Sequence, residues 1–204
     1  QFYASDATYD LSTYELDVDG VSEILMPPVT IEPDSSHIRI LANGKMERLH
    51  NAYMWVDTET ITDYDFYNAD LDVLSGGRFT GTATFDYIDL EGEIQPIHFS
   101  TLEKKGDIVK GVAYIEEEDN FHLDPYFGFK GKVLLDSSKD FLTFDGHTRI
   151  HLACDKLNRA WIPFKDEVDP EDVFIDLNPE VRLTDRQQWH AGIMISHGPT
   201  LCYP

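Results

Sequence analysis

A short alternating run with a glycine at its second inward position recurs five times in this chain. The copies are Val18-Asp19-Gly20, Phe79-Thr80-Gly81, Val109-Lys110-Gly111, Phe129-Lys130-Gly131 and Phe144-Asp145-Gly146. Four of them continue in the same rhythm, through Gly81/Ala83/Phe85, Gly111/Ala113/Ile115, Gly131/Val133/Leu135 and Gly146/Thr148/Ile150. A period of two places these residues on one face of a β-strand. Glycine weakens a strand interior unless another backbone or a bulky ring must come close there. The pattern therefore predicts many short strands packed closely together. It describes architecture and carries no chemistry.

Helix signals are sparse. Asp169-Pro170-Glu171-Asp172-Val173 pairs an N-cap with proline at the first helical position, and Thr184-Asp185-Arg186-Gln187-Gln188-Trp189 is also capped. Each predicts a single turn. Elsewhere polar turns separate short alternating segments. Pro27-Pro28 stops one strand, because neither proline donates to a ladder, and Asn43-Gly44 marks a turn. Hairpin-like alternation is expected from Phe79 to Phe99, continuing through the turn Lys104-Lys105-Gly106-Asp107 into a strand Ile108–Ile115, with another hairpin at Tyr126–Cys154. One faint echo links Leu49-His50-Asn51-Ala52-Tyr53-Met54-Trp55-Val56 to Phe66-Tyr67-Asn68-Ala69-Asp70-Leu71-Asp72-Val73, 17 residues later. That offset is about one rung of a β-solenoid. The expected fold is all-β: an antiparallel sandwich or jelly-roll-like domain, or a short solenoid, with at most one or two single-turn helices. A seam near Leu102 to Asp107 divides a segment 1–103, marked by the Asn-Ala echo, from a hairpin-rich segment 104–204. One continuous domain 1–204 is the alternative. Gln1 and Pro204 read as cuts in a longer chain.

Acidic residues number 38 against 16 basic ones, for a net charge of −22 and a pI near 4.4. Such a field repels phosphate backbones and anionic lipid heads, so nucleic acid is excluded as an expected partner. No stretch approaches 18 apolar residues, so no transmembrane helix is expected.

Specific chemistry is hard to place. Cys154 and Cys202, 48 positions apart, either close a disulfide loop worth roughly 4 kcal/mol or remain buried thiols. Calcium is the one cofactor the acidity suggests. Glu15-Leu16-Asp17-Val18-Asp19-Gly20 imitates the start of an EF-hand loop, yet its twelfth position is Met26 where a bidentate glutamate is needed. Asp57, Glu59, Asp63 and Asp65 form a looser acidic cluster. His147 and His151, four apart in a strand pattern, lie roughly 13 Å from each other and cannot share an ion. His122 and Asp124 have the spacing that puts two ligands on one strand face, without an evident third. No Gly-x-Ser-x-Gly elbow and no phosphate loop occur. Aromatic residues crowd the first half, and Trp55, Tyr64 and Tyr67 are the candidate binding residues there. Alternate members of that set are expected to pack the core.

Several segments resemble parts of very large exported, β-rich proteins of unassigned function from Bacteroidota. The residues concerned are Leu49-His50-Asn51-Ala52, Phe66-Tyr67-Asn68-Ala69, Phe129-Lys130-Gly131-Lys132-Val133 and Phe141-Leu142-Thr143-Phe144-Asp145-Gly146. The resemblance covers roughly residues 9 to 153. A weaker similarity is to the jelly-roll repeats of lipopolysaccharide-transport proteins, which also repeat apolar-x-Gly-x-apolar rungs. These resemblances imply an exported location in the periplasm, outer membrane or cell surface, and a piece of a longer chain. They carry over no catalytic residue. The expected function is a non-enzymatic structural or interaction module, partnered by other envelope proteins or by other parts of the same chain. The alternatives are a carbohydrate-binding module and a glycan hydrolase using paired carboxylates.

Overall fold

A computed structural model of the chain describes residues 1–58, 60, 62–151, 161–173 and 175, with two short strand segments at 182–184 and 187–188. The fold is all-β and its strands pair antiparallel. In chain order the strands are β1 (Asp6–Asp10), β2 (Glu15–Asp19), β3 (Ile24–Met26), β4 (Val29–Glu32), β5 (Ile38–Ile40), β6 (Leu49–Val56), β7 (Tyr64–Leu74) and β8 (Arg78–Ile88). They continue as β9 (Ile94–Lys105), β10 (Ile108–Ile115), β11 (His122–Asp124), β12 (Phe127–Asp136), β13 (Thr143–Ile150), β14 (Ile162–Glu167), β15 (Arg182–Thr184) and β16 (Gln187–Gln188). A single 3-10 turn at Glu117–Asp119 is the helical element among the described residues.

Neither of the two single-turn helices expected from sequence is among the helical elements of the described residues. Asp169 caps one isolated turn instead: its carboxylate accepts the Glu171 N–H and its carbonyl the Asp172 N–H. Thr184 and Gln187-Gln188 lie in the paired strands β15 and β16. The prolines at 27 and 28, joined by a cis bond, form the turn of the β3–β4 hairpin, with Met26 opposite Val29.

The chain forms two compact units. The first comprises Gln1–Asp86, Pro96–Tyr114 and Leu134–Leu142. Its main sheet runs in the order β3-β4-β6-β7-β8-β9-β10, and β1-β2-β5 make a separate three-stranded sheet. Alternation buries Ile31, Met54, Phe66, Leu71, Phe79, Phe99 and Val109 on one face of the main sheet. Phe66 meets Phe99 edge-on at 5.9 Å and Phe85 at 5.8 Å, geometries that suit ring quadrupoles. The second unit comprises Tyr87–Gln95, Ile115–Val133 and Thr143–Pro204. There β12, β13 and β14 pair in order, with β11 beside β12, and Phe144 is the hub of an aromatic core. Phe129 and Tyr87 both approach it edge-on, at 5.0 and 5.7 Å.

Gly81, Gly111, Gly131 and Gly146 lie within β8, β10, β12 and β13 as the alternation placed them, whereas Gly20 follows the end of β2 at φ 74°. Two close approaches explain why a side chain is excluded. A Cβ on Gly111 would meet the Phe99 ring at 2.7 Å. Gly131 and Gly146 face each other across β12 and β13, and a Cβ on Gly131 would lie 2.6 Å from Gly146 Cα. Gly131 also adopts φ +140°, a region that disfavours L side chains.

The Asn-Ala echo has a local cause. β6 and β7 are antiparallel neighbours with Ala52 opposite Ala69, and their register slips on both sides of that pair. Asn51 (φ 52°) and Asn68 (φ 49°) are left-handed, so each strand carries a bulge in which asparagine takes the position that glycine usually fills. The echo is one bulge used by both partners of a pair. It is not a solenoid rung.

Candidate functional site

With Met54, Val56, Tyr64 and Phe66 turned inward, period two turns Tyr53, Trp55, Asp65 and Tyr67 to the outer face of the first unit's main sheet. Register aligns them with neighbours. Trp55 lies between Thr30 on β4 and Asp65 on β7, Tyr53 opposes Glu32, and Tyr67 opposes Thr84 on β8. The Tyr53 and Trp55 rings are 6.3 Å apart and tilted by 52°. Tyr53 is 43% exposed, whereas Trp55 and Tyr67 are half-buried. The Tyr67 hydroxyl donates to Asp86 Oδ1 at 2.8 Å, and this bond to a carboxylate raises the phenol above its ordinary pKa. Thr84 Oγ1 and His98 Nδ1 are 3.3 Å apart. The face thus offers two neighbouring rings bordered by hydroxyls and carboxylates, a chemistry suited to stacking against a sugar or a peptide.

Of the three aromatic residues singled out from sequence, Trp55 and Tyr67 share this face. Tyr64 does not: it is 1% exposed and packs against Phe66 and Phe85. Tyr53 takes its place in the face, and its signal was the two-residue spacing to Trp55. Cys154 and Cys202 lie outside the described residues, as does Glu59 of the acidic cluster.

Two buried carboxylates in the second unit are occupied by backbone. Asp124 Oδ1 accepts the N–H groups of Tyr126 and Phe127, and Asp89 Oδ1 those of Glu91 and Glu93. Burial pushes the Asp124 carboxyl above its usual range, helped by the nearby charge of Asp89. The His122 ring meets the His151 ring edge-on at 4.8 Å, and His122 is also among the groups that act on the Asp124 carboxyl. Gln95 clamps the backbone of His122 through both its amide groups. Among the described residues no group of three or more His, Cys, Asp or Glu side chains is placed to hold a metal ion.

No family model matches the chain, and no curated protein or solved structure matches it either. The surface must be read from its own geometry.

A further cluster escaped the sequence reading. Lys130 Nζ and Arg149 Cζ lie 4.5 and 4.4 Å from the centre of the Trp161 ring, within cation–π range. Glu117 accepts from both cations, at 2.6 Å from Lys130 and 3.4 Å from Arg149, and the Lys130 contact leads in lowering its carboxyl pKa. Four residues from four separate segments converge here, so no local motif announced them. The cations already have an anionic partner, and the cluster ties together elements of the second unit.

Proposed function

We propose that this chain is a non-enzymatic interaction module of a larger exported cell-envelope protein, working through its exposed sheet faces and strand edges. The observation that carries this reading is the placing of large apolar side chains on the surface. Ile88, Leu90 and Ile94, at the β8–β9 connection, are 51, 62 and 60% exposed, and Tyr9, Leu11 and Tyr14 are exposed at the β1–β2 connection. Grouped apolar side chains at the tips of hairpins are characteristic of contact surfaces. Asp89 and Asp124, two buried carboxylates of the second unit, hold turns. The excess of acid and the resemblance to large exported proteins support an envelope setting.

The test screens the purified chain against envelope proteins, with each hit rebuilt from purified components, beside panels of hydrolase substrates. A reconstituted protein complex without turnover is expected. Small-molecule turnover with no protein complex would overturn the reading.

A second reading, carbohydrate binding, rests on the outward Tyr53–Trp55 pair. It predicts glycan-array binding that is lost in Trp55→Ala. An array without signal removes it.

A further inference from the structure

The β1 strand is unusual in that all five of its residues are exposed. It pairs with β2 on one side, and in the order β1-β2-β5 its other edge has no strand beside it among the described residues. The Ala7 N–H donates to the adjacent Asp6 carboxylate at 2.8 Å. Open edges of this kind invite another strand, and natural proteins usually shield them. Here Asp6 and Asp10 stand on the edge, and Tyr9, Leu11 and Tyr14 add exposed apolar surface beside it.

Charge selects the occupant. Asp6 opposes Asp19, Thr8 opposes Asp17 and Asp10 opposes Glu15, so five carboxylates share one face of two adjacent strands. Like charges directly opposite one another are destabilising. The third strand supplies partial relief. Arg39 lies across from Asp17 with 2.9 Å to its carboxylate, and His37 reaches Asp19 at 2.9 Å and Asp17 at 3.3 Å. Asp6, Asp10 and Glu15 have no cation within 4 Å among the described residues. A second copy of β1, added antiparallel, would set Asp6 and Asp10 against their own counterparts. A strand bearing lysine or arginine at alternate positions would neutralise them.

We propose that the free edge of β1 is a docking strand for an extended basic peptide, which joins the β1-β2-β5 sheet as a fourth strand. Backbone hydrogen bonds supply sequence-tolerant affinity, the acidic face selects alternate basic side chains, and Tyr9 offers apolar contact on the opposite face. The proposal rests on the interaction-module reading and gives it a site and a partner chemistry.

The test titrates the full chain into a labelled peptide alternating lysine with valine, beside the same peptide with glutamate for lysine. The lysine peptide binds at low salt and weakens by about tenfold or more at physiological salt. The glutamate peptide does not bind. Hydrogen exchange slows at Ala7 and Tyr9. Ala7→Pro, which removes a backbone donor from an edge where proline is tolerated, weakens binding about tenfold. The double variant Asp6→Lys/Glu15→Lys does the same, and circular dichroism confirms that both variants fold. Equal binding by wild type and both folded variants, or by both peptides, overturns the proposal. So does a homodimer abolished by Ala7→Pro, which would make a second copy the occupant. If the lysine peptide fails while a reconstituted protein partner still binds Ala7→Pro, this site falls and the module reading stands. If neither binds, both fall.

Discussion

The left-handed asparagines show how much one residue decides here. Asn51 and Asn68 hold bulges that let Ala52 and Ala69 meet in the core, and the Asp70 carboxylate accepts the Asn51 N–H at 3.2 Å. That bond is the leading cause of the depressed Asp70 pKa. At Asn51, φ 52° is tolerable for asparagine and free for glycine, but strained for a β-branched side chain. Asn51→Gly should therefore melt within a degree or two of wild type, while Asn51→Val loses about 1–3 kcal/mol in denaturant unfolding. Asp124 presents the opposite balance. It is 7% exposed, and burial raises its carboxyl pKa above the unfolded value. Its neutral form favours folding, so that contribution is full below the unfolded pKa and is lost as pH rises through the folded one. An asparagine at this position would keep an oxygen for the Tyr126 and Phe127 amides without the charge. Asp124→Asn should raise Tm at pH 7 by about 2–4 °C, with the gain shrinking to nothing in acid, as calorimetry across pH would show.

At the scale of elements, the period-two pattern made the strands legible, and the turn residues bounded most of them. Phe79, Ala83, Val109, Ala113, Val133 and Phe144 are all buried on the faces their alternation assigned. What the pattern lacked was partnership. The Asn-Ala echo suggested a solenoid rung, because a period of 17 does not encode whether the next strand runs parallel or antiparallel. The outer aromatic face was half legible: Trp55 and Tyr67 were named, but Tyr64, three residues before Tyr67, falls on the other side of the pleat. Pairing between distant segments was invisible. Ser137 is an example, since its hydroxyl accepts the Val109 N–H at 2.9 Å and its own N–H donates to the Val109 carbonyl. This serine is 6% exposed and ends β12 against β10 within the first unit. Ser137→Ala strands a buried backbone donor. It should lower stability by about 1–3 kcal/mol in urea unfolding, whereas Ser138→Ala, on an exposed turn, should lower it by less.

Across the whole molecule the dominant physical fact is the net charge of −22. Its identified ion pairs relieve the repulsion only locally: Arg39 with Asp17, Arg48 with Asp72, Lys110 with Asp136, Lys165 with Asp145. Exposed pairs of this kind are worth about 0–1 kcal/mol each, too little to offset a general excess of carboxylate. Self-repulsion in the folded state exceeds that in the more expanded unfolded chain, so screening should favour folding. Raising ionic strength from about 10 to 150 mM shortens the screening length from roughly 30 to 8 Å, well inside the spacing of most surface charges. Tm should then rise by several degrees in sodium chloride at pH 7. The same salt step near pH 4.4, where the charge approaches zero, should leave Tm almost unmoved. This contrast separates screening from the general stabilisation that excluded salts confer, which does not vanish at the isoelectric point. Calcium chloride at matched ionic strength supplies the last arm. A rise no greater than sodium gives is expected from diffuse screening, and a larger, saturable rise at low calcium would reveal carboxylates that share an ion.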